Sequence, residues 1–461
     1  MTDGSLKQIG FTDINLSERS LQIEDRSGGV QIVRSGMEIP EYPTQLSDFL
    51  RARAAEHPER DFLAERDGNG AWRSVSYGEM RGRTDSVSQW LLNNGHSADN
   101  PICILSDNSI NFATLMLGAM QVGIPVMPIS PAYSLMSSDY AKVKFAFESF
   151  TPTLVYAEKL GPFVKALGSV DLASIQVVAG DHEGEIPGTF GFNELLSTTA
   201  GPDVEGAYAK VTPDSIGKVL LTSGSTGMPK GVINPQRMLT SNAVQVGRLW
   251  PFLADRPPVV VDWLPWNHTF GANFCFNTIM SHGGTMYIDA GKPVPGRFDA
   301  TLTNLRDVRP TIMWNVARAY DLLAPELDKD DDFNRHLFGD LDMAFYAGAG
   351  LPQSIWDHLE TLSVKARGKR TPLLTSLGST ETGPSAICCH WTSDVTGSIG
   401  HPVPGLEAKL IPVDGKTELR VKGPNITPGY YRDEAKTAAA FDEDGFFKIG
   451  DAVKWAEPAD P

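Results

Sequence analysis

The sequence predicts an α/β protein made of two α/β units with largely parallel sheets and a smaller β-rich unit. The chain has 461 residues, about three times the length of an ordinary domain. Short apolar runs alternate with longer segments of helical spacing up to about residue 380, which is typical of parallel strands covered by helices on both faces. Beyond about Gly383 the helical segments become rare and strand-like alternation takes over.

The first predicted α/β unit covers residues 46–210 and follows a polar, pattern-poor lead-in over 1–45 that we expect to wrap the surface. Apolar residues recur at helical spacing over 47–57, 77–94 and 108–121. Short apolar runs predict strands over 101–105, 123–127, 153–156 and 175–178. The stretch 198–212, which contains Gly201 and Pro202, is predicted to be a linker.

The second predicted α/β unit covers residues 211–382. Its helices are predicted over 236–250 and 274–282. Its strands are predicted over 218–221, 259–262, 285–288, 311–314, 343–346 and 373–376. The β-rich unit is predicted over 383–455, with alternating strands at 406–411 and 417–421.

Composition favours a soluble cytoplasmic protein. Hydrophobic residues make up 41% of the chain and charged residues 21%, as in ordinary globular proteins. The net charge is −16 and the 40 basic residues form no run, so we expect no nucleic-acid partner. The most apolar stretch, 112–128, is shorter than the roughly 20 residues needed to span a membrane. The four cysteines lack metal-ligand spacing, and their small number suits a reducing compartment.

A glycine-rich segment over 222–231 follows a predicted strand, where ligands of open α/β sheets are found. Its glycines and hydroxyl groups suit a phosphate-binding loop, although composition alone also fits a flexible turn. The Walker phosphate loop is excluded because Pro229 stands where that motif needs glycine. The nucleophile elbow of hydrolases is excluded because Ser223 stands where glycine is needed.

Residues 222–231 resemble the phosphate-loop motif of the AMP-forming acyl-CoA synthetases, luciferases and peptide-synthetase adenylation domains. Further segments resemble motifs of that superfamily in the same order. They lie at 263–271, 346–352, 378–383, 418–430 and 444–451. The resemblance covers about 45–455, and within the superfamily the chain is most similar to bacterial feruloyl-CoA synthetases. It implies that the β-rich unit is a distorted barrel.

The resemblance implies that ATP, Mg²⁺ and CoA take part in the reaction. A carboxylic acid would become an acyl-adenylate and then a CoA thioester. The residues expected to hold the phosphates are Thr222, Ser223, Gly224, Ser225, Thr226, Gly227 and Lys230. Those expected at the α-phosphate, the metal ion, the ribose and the adenine are Gly378, Ser379, Thr380, Glu381, Asp451, Gly348, Ala349 and Gly350. Thr380 and Glu381 are thus predicted catalytic residues, with Glu381 as the Mg²⁺ ligand.

The acid is expected to bind beside His268, the third predicted catalytic residue. The family's acyl pocket corresponds to Gly271, Tyr346, Gly348 and Pro384. Small residues there would leave a flat slot for an aromatic acid, such as the hydroxycinnamate ferulate. Phe274 and Trp314 are assigned to core packing rather than to the pocket.

The sequence departs from the family pattern at two places. Leu377 stands where many relatives have an aromatic residue against adenine, and Ile449 replaces the common threonine before Gly450. The family also continues with a small mobile domain that carries a catalytic lysine, whereas ten residues follow Asp451 here. We therefore expect this chain to be the large N-terminal domain alone, monomeric or homodimeric, and to adenylate slowly.

Two alternatives stay open from the sequence. The first is an adenylating ligase for a fatty or amino acid, or one that passes the acyl group to a carrier protein. Asp262, six residues before His268, could pair with the amine of an amino acid. The second is an inactive nucleotide-binding module.

Overall fold

The computed structural model describes residues 6–182, 186–223 and 227–457, with Ser223 described by its backbone alone. In chain order its strands are β1 (Leu21–Asp25), β2 (Gln31–Ser35), β3 (Asp61–Arg66), β4 (Trp72–Ser76), β5 (Ile102–Ile104), β6 (Val126–Pro128), β7 (Leu154–Lys159), β8 (Gln176–Asp181), β9 (Phe190–Gly191), β10 (Ile216–Ser223), β11 (Pro229–Pro235), β12 (Val259–Asp262), β13 (Thr285–Ile288), β14 (Ile312–Asn315), β15 (Met343–Tyr346), β16 (Leu373–Gly378), β17 (Ser385–Cys388), β18 (His401–Pro402), β19 (Glu407–Val413), β20 (Lys416–Lys422) and β21 (Phe447–Val453).

The α-helices alternate with these strands through most of the chain. They are α1 (Ser47–Glu56), α2 (Tyr77–Asn93), α3 (Ile110–Met120), α4 (Ala132–Leu135), α5 (Ala141–Phe150), α6 (Val164–Leu167), α7 (Phe192–Leu196), α8 (Pro202–Tyr208), α9 (Gln236–Leu249), α10 (Phe276–Ser281), α11 (Phe298–Asp307), α12 (Ala317–Lys329), α13 (Asp331–Gly339), α14 (Gln353–Arg367) and α15 (Glu434–Ala440). A π-helical turn, Phe270–Cys275, leads directly into α10. The predicted α/β class is confirmed.

A seven-stranded sheet contains the strand before the glycine-rich segment. Its order is β11-β10-β6-β5-β7-β8-β9, and all pairs are parallel except β10 with β11. Strands β5 and β6 are buried at every residue, because helices cover both faces of a parallel sheet. Ser109 caps the buried helix α3 by accepting a hydrogen bond from the Phe112 N–H.

Two further sheets carry the strands that frame the site. One has the order β12-β13-β3-β4 and combines strands from both sides of residue 210. The other has the order β14-β15-β16-β17-β18, with β14, β15 and β16 parallel. One large buried cluster of side chains runs from Val33 to Phe447 and joins the sheets. The division of the chain at residues 45, 210 and 382 stays a prediction.

The fourth sheet, of order β1-β2-β19-β20-β21, differs from two expectations. Strands β1 and β2 lie in the lead-in that was predicted to be pattern-poor, and β2 pairs with β19. Strand β1 has four exposed residues out of five, so it lacks the apolar alternation that marks a strand in sequence. Over the described residues this sheet is open at β1 and β21, and the distorted barrel is not closed.

The prediction of a linker over 198–212 is wrong for residues 202–208, which form α8. Pro202 occupies the first turn, where its missing N–H has no effect on the helix. Val204 is buried, and Arg51 of α1 forms an ion pair with Glu205 at 2.9 Å. These contacts fix a helix that composition alone concealed. In the part of the chain that is described, no helix combines the length and the apolar character needed to cross a membrane.

Candidate active site

A cavity of about 550 Å³ lies where the β10–β11 hairpin, the segment before the π-helical turn, and the ends of β14, β15 and β16 meet. Its lining combines aromatic and apolar side chains with hydroxyl and charged groups. Its lining residues are Thr222, Lys230, Trp263, Leu264, Pro265, His268, Thr269, Phe270, Phe274, Val316, Phe345, Ala347, Gly348, Ser376, Gly378, Ser379, Thr380, Glu381, Pro384 and Ser385. Nine of the residues predicted from sequence to form the site are therefore brought together.

The β10–β11 hairpin presents one polar group and one cation to the cavity. Thr222 and Lys230 face each other across the antiparallel pair. The Thr222 hydroxyl is buried and has no hydrogen-bond partner among the described residues. A buried polar atom without a partner is unfavourable, so this oxygen fits a site that a polar ligand completes.

The residues at the tip of this hairpin are only partly described. Gly224, Ser225 and Thr226 lie outside the described residues, as does the side chain of Ser223. Gly227 is exposed and adopts a left-handed φ of +82°, which glycine tolerates best. The phosphate contacts expected of these residues stay predictions.

Lys230, Glu381 and Tyr430 form a closed triangle of hydrogen bonds. The Lys230 ammonium donates to Glu381 Oε1 at 2.7 Å and to the Tyr430 hydroxyl at 2.9 Å. The Tyr430 hydroxyl donates to the same Glu381 oxygen at 3.0 Å. The Glu381 side chain is 7% exposed, against 24% for Lys230. The carboxylate is thus held deep in the protein, and the lysine holds it from the side of the cavity.

Burial and the attraction between Lys230 and Glu381 shift the pKa of each group in opposite directions. Burial alone would raise the pKa of Glu381, but the hydrogen bond and charge of Lys230 outweigh it, and the pKa is lowered. Burial alone would lower the pKa of Lys230, but its bonds to Glu381 and Tyr430 outweigh it, and the pKa is raised. At neutral pH the pair is therefore ionised.

The loop that carries Glu381 is fixed from several directions. Backbone around Gly378 lies so close to the Pro384 carbonyl that a side chain at Gly378 would overlap it. The Ser379 hydroxyl accepts a hydrogen bond from the Glu381 N–H at 3.2 Å. The Glu381 carbonyl accepts one from the Thr427 N–H at 2.9 Å. Thr380, next to Glu381, is buried and lines the cavity.

Asparagine side chains brace the same loop from behind. The Asn425 amide donates to the carbonyls of Thr382 and Ser385, at 2.8 and 2.9 Å. The Asn242 amide donates to the Ser385 carbonyl at 3.0 Å and accepts from its N–H at 3.2 Å. Donors and acceptors held in this way keep their positions without reorganisation when a charged ligand binds.

His268 also belongs to the lining of the cavity. Its Nδ1 accepts a hydrogen bond from the Phe270 N–H at 3.3 Å, which leaves Nε2 to carry the proton of the neutral ring. The side chain is open to the cavity, but protein surrounds the cavity and the resulting desolvation lowers the pKa of His268. The ring is therefore neutral at pH 7 and can donate one hydrogen bond.

Three phenylalanines, Phe270, Phe274 and Phe345, belong to the lining of the cavity. The rings of Phe274 and Phe345 stack with centroids 4.9 Å apart and planes 18° apart, and Phe270 lies 5.8 Å from Phe274. The assignment of Phe274 to core packing was incomplete, because the side chain is 2% exposed and also lines the cavity. Trp314 packs on Phe274 outside the lining.

Several predicted site residues lie beside the cavity rather than in its lining. Gly271 packs against the Leu264 carbonyl, and its Cβ position would be blocked. Tyr346 is buried in a neighbouring cluster, where its ring lies 6.3 Å from Trp356. Their roles in the acyl pocket stay predictions.

Of the described residues predicted to bind adenine and ribose, only Gly348 belongs to the lining of the cavity. Gly348 lines the cavity with a left-handed φ of +81°, and Ala349 and Gly350 are exposed next to it. Asp451 is exposed on β21, outside the lining. Contact of Ala349, Gly350 and Asp451 with a nucleotide stays a prediction.

Asp262 does not face the cavity. It is buried at the end of β12, and its Oδ1 accepts a hydrogen bond from the Leu264 N–H at 3.0 Å. Burial raises the pKa of Asp262 to about 7. A carboxylate that neither lines the cavity nor is fully ionised at neutral pH is a poor partner for an amine, so the amino-acid alternative loses its basis.

Sequence reasoning missed Tyr430 and Phe345 as site residues. Tyr430 stands at the end of the segment 418–430 that resembles a family motif, but nothing in the sequence places it against Lys230, 200 residues away. Phe345 belongs to a buried apolar strand, where a pocket residue and a core residue look the same.

Comparison with known proteins gives one family and many relatives. The family described as AMP-binding enzyme matches residues 50–431. A methyl-dioxo-octahydroindenyl-propanoyl:CoA ligase of Rhodococcus jostii (strain RHA1) is 23% identical over 90% of this chain and 77% of its own length. A carboxylic acid reductase of Mycobacterium marinum is 25% identical over 84% of this chain and 35% of its own length.

The solved structures confirm the fold. The luciferase-like enzyme from the nonluminescent mealworm Zophobas morio superposes with a TM-score of 0.72. It covers 94% of this chain and 95% of its own, at 18% identity. At that identity the likeness extends to the fold and not to the substrate.

Proposed function

The chain belongs to the AMP-binding enzyme family, and from this we propose that it uses ATP to convert a carboxylic acid into an acyl-adenylate and then a CoA thioester. The observation that carries the proposal is the Lys230–Glu381 pair facing the unpartnered Thr222 hydroxyl in one cavity. Acyl-CoA ligases of this family use ATP, Mg²⁺ and CoA. The chain spans 77% of one curated ligase and 35% of the reductase, so the thioester step is part of the proposal.

The groups in the cavity suit a nucleoside triphosphate. Lys230 supplies a positive charge and Thr222 a hydroxyl donor for phosphate oxygens. Glu381 supplies carboxylate oxygens, which Mg²⁺ prefers. When bound there, Mg²⁺ would neutralise charge on the phosphates. Thr380, beside Glu381 on the lining, would contact the α-phosphate.

The reaction asks for positioning and charge stabilisation rather than for a protein nucleophile. One oxygen of the acid attacks the α-phosphorus of ATP, and the bond to pyrophosphate breaks. The CoA thiol then attacks the acyl carbon of the adenylate, AMP leaves, and the thiol proton is released. His268, neutral and lining the cavity, would donate a hydrogen bond from its Nε2–H to the carboxylate and so orient it. Lys230 would hold the departing pyrophosphate.

We propose that binding of MgATP separates the Lys230–Glu381 pair. In the structure each group satisfies the other, whereas the proposal assigns Lys230 to phosphate and Glu381 to the metal ion. Both replacement partners carry more charge than the original ones, which favours the exchange when ATP and Mg²⁺ arrive together. ATP without Mg²⁺ would leave Glu381 facing phosphate with no cation between them.

We propose that the acid is aromatic, a hydroxycinnamate such as ferulate. Phe270, Phe274 and Phe345 offer ring faces and edges, and aromatic pairs gain about 0.5–1.5 kcal/mol beyond the burial of their surface. Pro384 adds a rigid apolar surface to the lining, to which Gly348 also belongs. Four buried free cysteines support a place in the reducing cytoplasm.

A panel of acids tests the proposal. The chain is supplied with MgATP and ferulate, cinnamate, palmitate or phenylalanine, and pyrophosphate release is measured. We expect release with the aromatic acids and the highest ratio of kcat to KM for ferulate. Binding of ATP without release in any arm would favour the inactive nucleotide-binding module, and a preference for palmitate would overturn the aromatic assignment.

A further inference from the structure

Lys218 is a lysine with no surface exposure in the middle of β10. Its ammonium donates to the Ala272 carbonyl at 3.0 Å and to Asn273 Oδ1 at 3.2 Å. None of the described carboxylates forms an ion pair with it, and burial lowers the pKa of Lys218 to about 7. Burying an amine in this way is unfavourable, so its two acceptors must compensate for much of the penalty.

Both acceptors belong to the π-helical turn Phe270–Cys275. In a regular α-helix the Phe276 N–H would bond to the Ala272 carbonyl, four residues back. Here it bonds to the Gly271 carbonyl, five residues back, and the Ala272 carbonyl accepts a hydrogen bond from Lys218. The lysine therefore supplies a donor at the place where the turn departs from α-helical geometry.

Asn273 connects Lys218 to a residue that lines the cavity. The Lys218 side chain donates to the Asn273 oxygen, so the NH₂ group of Asn273 faces the other way. That NH₂ group donates to the Thr269 hydroxyl at 3.1 Å and to Asn234 Oδ1 at 2.8 Å. Thr269 lines the cavity, whereas Lys218 does not.

The turn and the residues before it form the wall where the acid is proposed to bind. His268, Thr269, Phe270 and Phe274 all belong to the lining. Gly271 has no room for a side chain because the Leu264 carbonyl lies against it, and Leu264 is itself a lining residue. A shift of the turn therefore cannot be absorbed without moving the wall.

We propose that Lys218 is a positioning residue, which fixes the π-helical turn and thereby the shape of the acid-binding wall. The inference rests on the proposed function for its kinetic consequence, but its structural part does not. Lys218 makes no contact with Lys230, Glu381 or Thr380 in the hydrogen bonds of the described residues. Its loss should consequently affect the acid and leave ATP binding nearly unchanged.

The test compares Lys218→Met with Lys409→Met in the same chain. Methionine keeps the length and the apolar stem of lysine but removes its donors. Lys409 of β19 is also a buried lysine, bonded to Asp442 and Asp444 in the segment before β21, so the control removes a buried ammonium elsewhere. Hydrogen exchange of the amides over 268–276 is measured by mass spectrometry, together with KM for ATP and for the acid.

We expect Lys218→Met to speed exchange over 268–276 about tenfold or more, since both hydrogen bonds from Lys218 to the turn are lost. KM for the acid should rise by a similar factor, while KM for ATP stays within about twofold. Lys409→Met should change neither. Lys218→Gln, which keeps an N–H donor on a shorter stem, should recover part of the protection and replaces the methionine variant if that one does not fold.

Unchanged exchange over 268–276 in the Lys218 variants would overturn the proposal, as would an equal rise of KM for ATP and for the acid. If the wild-type chain releases no pyrophosphate with any acid, the proposed function fails. The exchange experiment still decides the structural role of Lys218 in that case, so the two failures are distinguishable.

Discussion

The Lys230–Glu381 pair predicts a stability loss that depends on pH in a defined direction. Lys230→Met leaves the Glu381 carboxylate, 7% exposed, without its cation. Breaking a fully buried pair costs about 3–5 kcal/mol. Because Lys230 is 24% exposed and the Tyr430 hydroxyl still donates to the carboxylate, we expect the lower figure of about 2–3 kcal/mol at pH 7.5.

The sign of the pH dependence follows from the pKa of Glu381. In the wild type this pKa lies below its ordinary value of 4.5, so the pair's stabilisation is present above pH 4.5 and is lost as pH falls through the lowered pKa. In the Met variant the attraction of Lys230 is gone, while burial still raises the pKa of Glu381 against the remaining hydrogen bonds from Ser379 and Tyr430, so this pKa is higher than in the wild type. The folded variant then takes up a proton at a higher pH than the folded wild type does, and the stability difference between the two proteins narrows as pH falls towards about 4.

Urea unfolding monitored by tryptophan fluorescence at pH 7.5 and 4.5 measures the effect. The control is Lys436→Met, which removes an exposed lysine paired with Asp433 on α15 and should change stability by less than about 0.5 kcal/mol. The gap between wild type and Lys230→Met should shrink at pH 4.5. A gap that is no larger than the control, or equal at both pH values, would refute the assignment of a buried ion pair.

Three further predictions concern single residues. Tyr430→Phe removes the hydroxyl between Lys230 and Glu381, so calorimetric unfolding should show a loss of about 1 kcal/mol while pyrophosphate release persists; loss of all release would contradict the secondary role of this tyrosine. Gly378→Ala should abolish pyrophosphate release or prevent folding, because the added carbon would overlap the Pro384 carbonyl. Gly206→Ala on α8 has open space around the added carbon and should stabilise the fold by about 0.5–1 kcal/mol. Urea unfolding of both variants checks this. Burial lowers the pKa of Lys218 from 10.5 to about 7, so between these pH values the folded wild type binds fewer protons than the unfolded chain. The free energy of unfolding of the wild type, measured with urea, should therefore rise from about pH 7 to 10 relative to that of Lys218→Met. A difference between the two proteins that stays constant with pH would contradict the buried amine.

Much of the fold was predictable because local pattern and tertiary environment agree. Runs such as Ile102–Ile104 and Val126–Pro128 are buried on both faces, and continuous apolar sequence predicts that environment. Strand β1 could not be predicted, since four of its five residues are exposed and its order comes from pairing with β2. Helix α8 was hidden by the Gly and Pro residues that in fact begin it.

The candidate site divides in the same way. Lys230, Glu381 and His268 were predicted because each stands in a segment that resembles a family motif, and the structure places all three on one cavity. Tyr430 and Lys218 could not be predicted, because their roles depend on contacts 200 and 54 residues away in sequence. The π-helical turn includes a backbone hydrogen bond from the Phe276 N–H to the Gly271 carbonyl, which no sequence periodicity marks.

The central claim is that, when MgATP binds, Lys230 leaves Glu381 to contact phosphate and Glu381 contacts the metal ion instead. Measuring ATP binding with and without Mg²⁺ tests this claim most directly. Calorimetry compares the wild type with Glu381→Gln and with Glu360→Gln, a buried glutamate beside Arg370 at 3.5 Å and outside the cavity. We predict that Mg²⁺ tightens ATP binding at least tenfold in the wild type and in Glu360→Gln, and that Glu381→Gln loses this dependence. Equal dependence on Mg²⁺ in all three proteins, or no binding of ATP to the wild type, would contradict the account.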